Sequence, residues 1–243
     1  MLKILQRRDQ IRSGRRKLEE NGVSCVPGML ERLRRRLSRS PAPAVGDPLK
    51  SWDVWLSYDF IRSRNDSSIC VTDLGTFSSE ILPALWRGGF RHLAGLDLNP
   101  RLQEMPFSAH IDYRTENFLA SSLGDASADI VTAISVIEHG FEPEALLREV
   151  ARLLRPGGCF LASFDYWPEK IDTAAHRIFG MSWDILSRAQ VEDLVSAAAR
   201  HGLQPLGDMD FRVGEKVIRY DGFAYTFAWL ALRKVTTTPA AAT

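Results

Sequence analysis

The feature that most constrains this chain is an alternation. Apolar, β-branched runs near residues 68–73, 92–97, 111–115, 128–135 and 158–164 are separated by stretches of helical periodicity near 79–88, 100–104 and 143–154. Such an order implies a mainly parallel sheet with helices on both faces, because parallel neighbours need crossover connections. Two of the runs end in a telling way. Val71-Thr72-Asp73-Leu74-Gly75 stops at a glycine, a residue that turns tightly and lets backbone N–H groups approach a ligand. Gly95-Leu96-Asp97-Leu98-Asn99-Pro100 then sets an acid about 20 residues further on, where a doubly wound α/β sheet places the carboxylate that binds ribose hydroxyls. Together they describe a nucleotide-type pocket. Gly75 is followed by Thr76-Phe77-Ser78-Ser79, so the G-x-G-x-x-G spacing that passes a pyrophosphate is missing and a dinucleotide is excluded.

A third signal selects among the remaining ligands. Asp129 to His139, followed by the helical run Glu144 to Leu154 and the turn Arg155-Pro156-Gly157-Gly158, resembles the second half of class I S-adenosylmethionine-dependent methyltransferases. With the two earlier motifs the resemblance covers residues 50 to 235. It implies a doubly wound, Rossmann-like α/β fold of seven strands with the last antiparallel, S-adenosylmethionine as cofactor, and a small-molecule substrate. The end of the chain agrees with that topology. Leu206 to Val213 and Phe223 to Leu232 read as two consecutive strands without a crossover, hence an antiparallel pair. Before them, Ser187-Arg188-Ala189-Gln190 is a capping box that opens a helix over 187–201, and Gly202 ends it.

The same resemblance assigns roles. Asp73, Gly75 and Thr76 fall where the family's loop wraps the methionine part of the cofactor, although Thr76-Phe77-Ser78 replaces the usual second glycine. Asp97, with Leu98, falls at the ribose and Asn117 at the adenine amino group. Glu138 stands beside cofactor or substrate. His139 is the candidate base at the end of the fourth strand, a structural or cofactor-lining role being the other reading. Asp165, at the end of the fifth, is a second candidate base or a metal ligand. Tyr166, Trp167 and Trp183 lie in the aromatic segments Phe164 to Thr173 and Phe179 to Trp183. Flat faces beside carboxylates suit a polyhydroxylated ring, and the segment resembles, more weakly, methyltransferases of polysaccharide and glycan biosynthesis. The expected reaction is O-methylation of a sugar or glycan precursor. A non-catalytic cofactor-binding or scaffold protein of the same fold is the alternative, suggested by the altered glycine loop.

At 243 residues the chain suits one α/β domain with an extension. Residues 1–48 are expected to form a basic, partly helical or disordered extension and a Pro-rich linker, 49–235 the catalytic domain, and 236–243 a disordered tail. Trp52, Trp55, Leu56, Phe60 and Ile61 recur at helical spacing just after the linker. Charge is unevenly spread. Residues 1–40 carry 12 Lys and Arg against 4 Asp and Glu, a net of +8, which leaves −7 for the remainder of a chain whose net charge is +1. The arm could meet an anionic membrane surface or dock on its own acidic body, whereas the acidic body argues against nucleic acid. No apolar stretch is long enough to span a bilayer and the N-terminus lacks a signal-peptide core, so a cytoplasmic protein is expected. Cys25, Cys70 and Cys159 are scattered without a C-x-x-C pair, and the five histidines form no metal-ligand spacing, so no metal is expected.

Overall fold

Residues 1–28, 43–140, 142–178 and 180–235 are described by the computed structural model. The expected tail 236–243, residues 29–42 of the basic arm and its linker, Phe141 and Phe179 lie outside them. The chain opens with β1 (Leu2–Ile4) and α1 (Arg8–Glu20), then passes a short 3-10 turn (Pro48–Lys50) into α2 (Ser51–Arg62). Next come β2 (Cys70–Leu74), α3 (Ile81–Arg87), β3 (His92–Asp97), β4 (Asp112–Thr115), β5 (Ala128–Ile134), α4 (Pro143–Leu153) and β6 (Leu154–Tyr166). A small hairpin, β7 (Arg177–Ile178) and β8 (Met181–Ser182), precedes α5 (Arg188–Arg200), β9 (Leu203–Pro205), β10 (Ile218–Tyr220) and β11 (Phe223–Lys234).

The main sheet runs β1-β11-β6-β5-β2-β3-β4. The five strands from β6 to β4 are parallel to their neighbours, and β11 is antiparallel to β6 from Thr226↔Tyr166 to Arg233↔Cys159. This is the expected doubly wound, seven-stranded arrangement with its last strand reversed. One face carries α1, α2 and α3, whose Leu18, Ile61, Ile81 and Leu85 pack with Leu161 and Trp229 of the sheet. The other carries α4 and α5, whose Leu147, Val150, Val191 and Ala198 cover Val131, Phe160 and Leu230. Strands buried on both sides account for the continuous apolar runs that made them legible. The capping box of α5 is present: Gln190 N–H donates to Ser187 Oγ at 3.3 Å and Ser187 N–H to Gln190 Oε1 at 3.0 Å.

The structure corrects the sequence reading at the outer edge of β11. Leu206 to Val213 is not a strand. Three short strands share that edge instead, with β9 opposite Leu232–Lys234, β1 opposite Ala228–Leu230 and β10 opposite Phe223–Tyr225. The middle place is taken by the N-terminus, whose Leu2 and Ile4 alternate into the core at 1% and 5% exposure around solvent-facing Lys3. Residues 206–215 are displaced outward and bond to the intruder: Leu2 N–H donates to Asp208 O at 2.9 Å and Glu215 N–H to Gln6 O at 3.0 Å. The 100–104 helix is only a 3-10 turn over Leu102–Glu104.

Residues 1–28 therefore do not stand apart from the domain expected to begin at 49. Helix α1 crosses the start of α2 so closely that a Cβ on Gly14 would lie 2.4 Å from Ser51 O. Part of the arm's positive charge is spent internally. Arg15 binds Glu80 through two hydrogen bonds of 2.7 and 2.8 Å, and Glu80 also accepts Cys25 N–H at 2.6 Å. Among the described residues no helix is long and apolar enough to cross a membrane.

Candidate active site

The parallel strands deliver their C-terminal ends to one side of the sheet, and a pocket of about 340 Å³ opens there. Gly75 after β2, Ile134 and Ser135 at the end of β5, and Asp165 of β6 form its floor. Gly46, Asp47, Leu49, Lys50 and Val54 close one wall. Trp183, Tyr220, Tyr225 and Phe227, with Ile178 and Ile218, close the other. Two backbone features shape the floor. Gly75 has φ +69, and a Cβ there would fall 2.6 Å from Val136 Cγ2, so only glycine fits between the two strand ends. Ser135 has φ 56 without being glycine, a strained conformation of the kind that collects at ligand sites. Its N–H is held by Ser163 O at 3.0 Å.

Next after Ser135 comes a short turn, Ile137–His139, that carries Glu138 and His139 into the pocket. Glu138 is 2% exposed, and burial, with the Asp165 charge second, pushes its pKa up to about 8, so it is protonated at neutral pH. His139 is shifted the other way. Burial holds its pKa below the ordinary value, leaving a neutral imidazole that can accept a proton. Asp165 Oδ2 accepts Trp183 Nε1–H at 2.8 Å.

Sequence reasoning missed the group that organises these acids. Lys50, from the turn before α2, places Nζ 3.5 Å from Asp165 Oδ1 and 3.5 Å from the centroid of Phe227. Burial opposes its charge, but the surrounding carboxylates, Asp165 first and then Asp53, keep its pKa above the ordinary value. Asp53 is fully buried on α2, where Ser163 Oγ donates to it at 2.7 Å, and burial lifts its pKa to about 6. No motif announces Lys50. The available signal was its position, one residue before an aromatic helix that had to cover the strand ends.

The other sequence candidates divide. Gly75, Glu138, His139, Asp165 and Trp183 converge on the pocket. Asp73 lies beneath it, 1% exposed, its Oδ1 accepting Thr132 Oγ1–H at 2.6 Å and its pKa raised to about 6 by burial. Thr76 is fully buried. Asp97, Leu98 and Asn117 lie outside the lining. Asp97 is half-exposed and accepts Phe77 N–H at 2.9 Å on Oδ2 and Asn99 N–H at 2.8 Å on Oδ1. Leu98 is 65% exposed, and Asn117 closes a local turn by accepting Leu119 N–H at 2.9 Å. Tyr166 and Trp167 do not line the pocket either. Successive strand residues face opposite ways, so with Asp165 on the pocket side Tyr166 packs with Leu186 and Val191 beneath the other face, and Trp167 lies under Lys216 at 4.6 Å.

The residues present fit S-adenosylmethionine. An ionised carboxylate offers about four acceptor positions, and the two backbone bonds leave Asp97 with capacity for ribose hydroxyls. Near Gly75, Ser135 Oγ and Glu138 Oε2 are buried without a hydrogen-bond partner, polar atoms that a bound amino-acid group would satisfy.

Comparison with known proteins agrees with this geometry. Residues 72–162 match the methyltransferase domain family. Over 121 residues the chain is 32% identical to the ubiquinone biosynthesis O-methyltransferase of Xanthomonas oryzae pv. oryzae, covering 45% of this chain and 49% of that one. Over 135 residues it is 28% identical to the dimethylglycine N-methyltransferase of Parasynechococcus marenigrum, covering 52% and 46%. The chain thus spans about half the length of the curated relatives it matches. Its fold is similar to that of a SAM-dependent methyltransferase from Methanosarcina mazei, with a TM-score of 0.57 at 15% identity over 73% of this chain and 98% of the other. Residues 72–162 are therefore similar to the methyltransferase domain family, and the sheet in which they lie has a fold similar to that of the Methanosarcina mazei protein.

Proposed function

We propose that this chain transfers a methyl group from S-adenosylmethionine to a hydroxyl of a small molecule, with a sugar or glycan precursor as the favoured acceptor. The observation that carries the reading is the pairing, on one turn at the end of β5, of Glu138 and His139 inside the pocket that also holds Gly75.

The cofactor, when bound, supplies a methyl group already activated on a sulfonium. What remains for the protein is mainly proximity and orientation. Gly75, Ser135 and Glu138 would hold the amino-acid end, with Asp97 on the ribose. A base is needed where an oxygen nucleophile must lose its proton as its bond to carbon forms, and His139, a lining residue whose pKa burial lowers, would take it. Trp183, Tyr225 and Phe227 restrict water on the acceptor side. Aromatic faces next to Asp165 support a hydroxylated ring as acceptor.

Isothermal titration with S-adenosylhomocysteine tests the reading, and a folded sample that does not bind it removes the proposal. Asp97→Ala should weaken that binding at least tenfold, since charge-assisted hydrogen bonds contribute about 1.5 to 3 kcal/mol. Unchanged affinity would withdraw Asp97 from the ribose.

A further inference from the structure

Lys50 is tied less tightly than a structural lysine should be. A buried ion pair offsets its desolvation only with close hydrogen bonds, and charge-assisted ones measure about 2.7 to 2.9 Å. Lys50 Nζ stands 3.5 Å from Asp165 Oδ1, and that oxygen is buried without a hydrogen-bond partner. Asp165 itself is 4% exposed and is fixed from its other oxygen by Trp183 Nε1. The ammonium is fixed in turn by the face of Phe227, a contact that leaves its N–H donors unspent. A donor group and an acceptor oxygen therefore lie side by side among the residues that line one pocket, joined by a long contact that leaves hydrogen-bonding capacity on the ammonium and on Oδ1.

We propose that Lys50 and Asp165 form a clamp for two neighbouring hydroxyls of an uncharged acceptor. One hydroxyl oxygen accepts from Lys50 Nζ, and the adjacent hydroxyl donates to Asp165 Oδ1. The 3.5 Å separation of the protein atoms matches the reach of vicinal hydroxyls on one ring, and Trp183 and Tyr225 offer its C–H faces an aromatic wall. Charge selects for neutrality. A phosphate or carboxylate would meet Asp165 and Asp47 with Lys50 as its one cation among the described lining residues, and an amine would meet Lys50 itself. The inference rests on the methyl-transfer reading and narrows its acceptor to neutral vicinal diols.

The test uses the full chain, first titrated with S-adenosylhomocysteine, then probed in its presence by saturation-transfer NMR. The probes are methyl hexopyranosides, a hexose 6-phosphate and glucosamine. At least one neutral glycoside should receive saturation and bind more tightly than the phosphorylated and aminated sugars. Its affinity should fall at least fivefold in Lys50→Met and in Asp165→Asn and recover in part in Lys50→Arg, with each variant checked for folding by its thermal melt. Asp165→Asn keeps the side-chain shape and serves where the lysine variant does not fold. Failure to bind S-adenosylhomocysteine overturns the underlying reading. Binding of it without any glycoside contact, tighter binding of the charged sugars, or folded variants with unchanged glycoside affinity overturns the clamp alone.

Discussion

Replacing Glu138 by Gln should make the protein more stable, and the gain should grow with pH. The carboxyl is 2% exposed, and burial, followed by the Asp165 charge, raises its pKa from 4.5 to about 8. The sign follows from linkage. A group whose pKa is higher in the folded state contributes stability that is fully present below pH 4.5 and is lost as pH rises towards 8, because the native state must then hold a proton that the unfolded chain has released. Each pH unit in that window costs about 1.4 kcal/mol. At pH 7 the loss is on the order of 3 kcal/mol and near pH 8 on the order of 5 kcal/mol, the larger figure being an upper bound because Lys50 can receive part of the charge. Gln keeps the shape of the protonated acid and has no proton to lose. The difference in unfolding free energy between variant and parent should therefore be smallest at pH 5, climb through pH 6 and 7, and level off above 8. Asp53 and Asp73, each raised to about 6, impose the same slope on both proteins and cancel in the difference. Urea unfolding of the ligand-free proteins at pH 5, 6, 7, 8 and 9 reads the curve directly. Parallel curves, or a variant that loses ground as pH rises, would show that Glu138 is ionised in the native pocket and would refute the reasoning.

Two further substitutions probe how the N-terminal segment supports the site. Arg15→Ala strands the Glu80 carboxylate, whose side chain is 1% exposed, and should cost about 3 to 5 kcal/mol in urea unfolding; a loss below 1 kcal/mol would mean that the pair is solvated in solution. Leu5→Ala removes a fully buried side chain next to β11 and should cost about 2 to 5 kcal/mol. Exchange of the Leu5 amide, bonded to Phe227 O at 2.9 Å, should accelerate with it, and an unaltered exchange rate would place the first strand elsewhere.

Much of the fold was legible because its evidence is local. Parallel strands buried on both faces must be continuously apolar, so β2, β3, β5 and β6 announce themselves in any window of a few residues. The first strand does not. Three residues carry no periodicity worth reading, and their partners lie more than 220 positions away, with Leu2 opposite Leu230. The alternation in Leu206 to Val213 was real, but a strand is decided by what occupies the neighbouring edge, and β1 had taken it. At the site, Glu138 and His139 were readable as the residues just beyond a strand end. Asp165 and Tyr166 were read as lying just past a strand ending at 164, but β6 runs on to Tyr166, so the two are adjacent strand residues that face opposite ways. Lys50 was legible only by its position before an aromatic helix, since its meaning comes from Asp165, 115 positions later, and from Phe227.

The departure that made the sequence unorthodox, Thr76-Phe77-Ser78 in place of a glycine-bearing loop, finds its explanation in the arm that looked separable. Without a second glycine the loop still turns sharply, and Ser78 adopts φ 64, a conformation costly for any residue with a Cβ. Three contacts hold it there. Asp97 fixes Phe77 N–H, Gly46 N–H donates to Ser78 O at 3.0 Å, and Arg15 anchors Glu80 at the start of the following helix. Two of the three come from residues before α2. The glycine that the loop lacks is thus compensated by backbone and side chains of the N-terminal segment, which also supplies Lys50 to the pocket and β1 to the sheet. Residues 1–28 and 43–50 brace the loop after β2 and furnish one wall of the candidate site, so the boundary suggested by the proline-rich stretch divides composition and leaves contributions to that site on both sides of it.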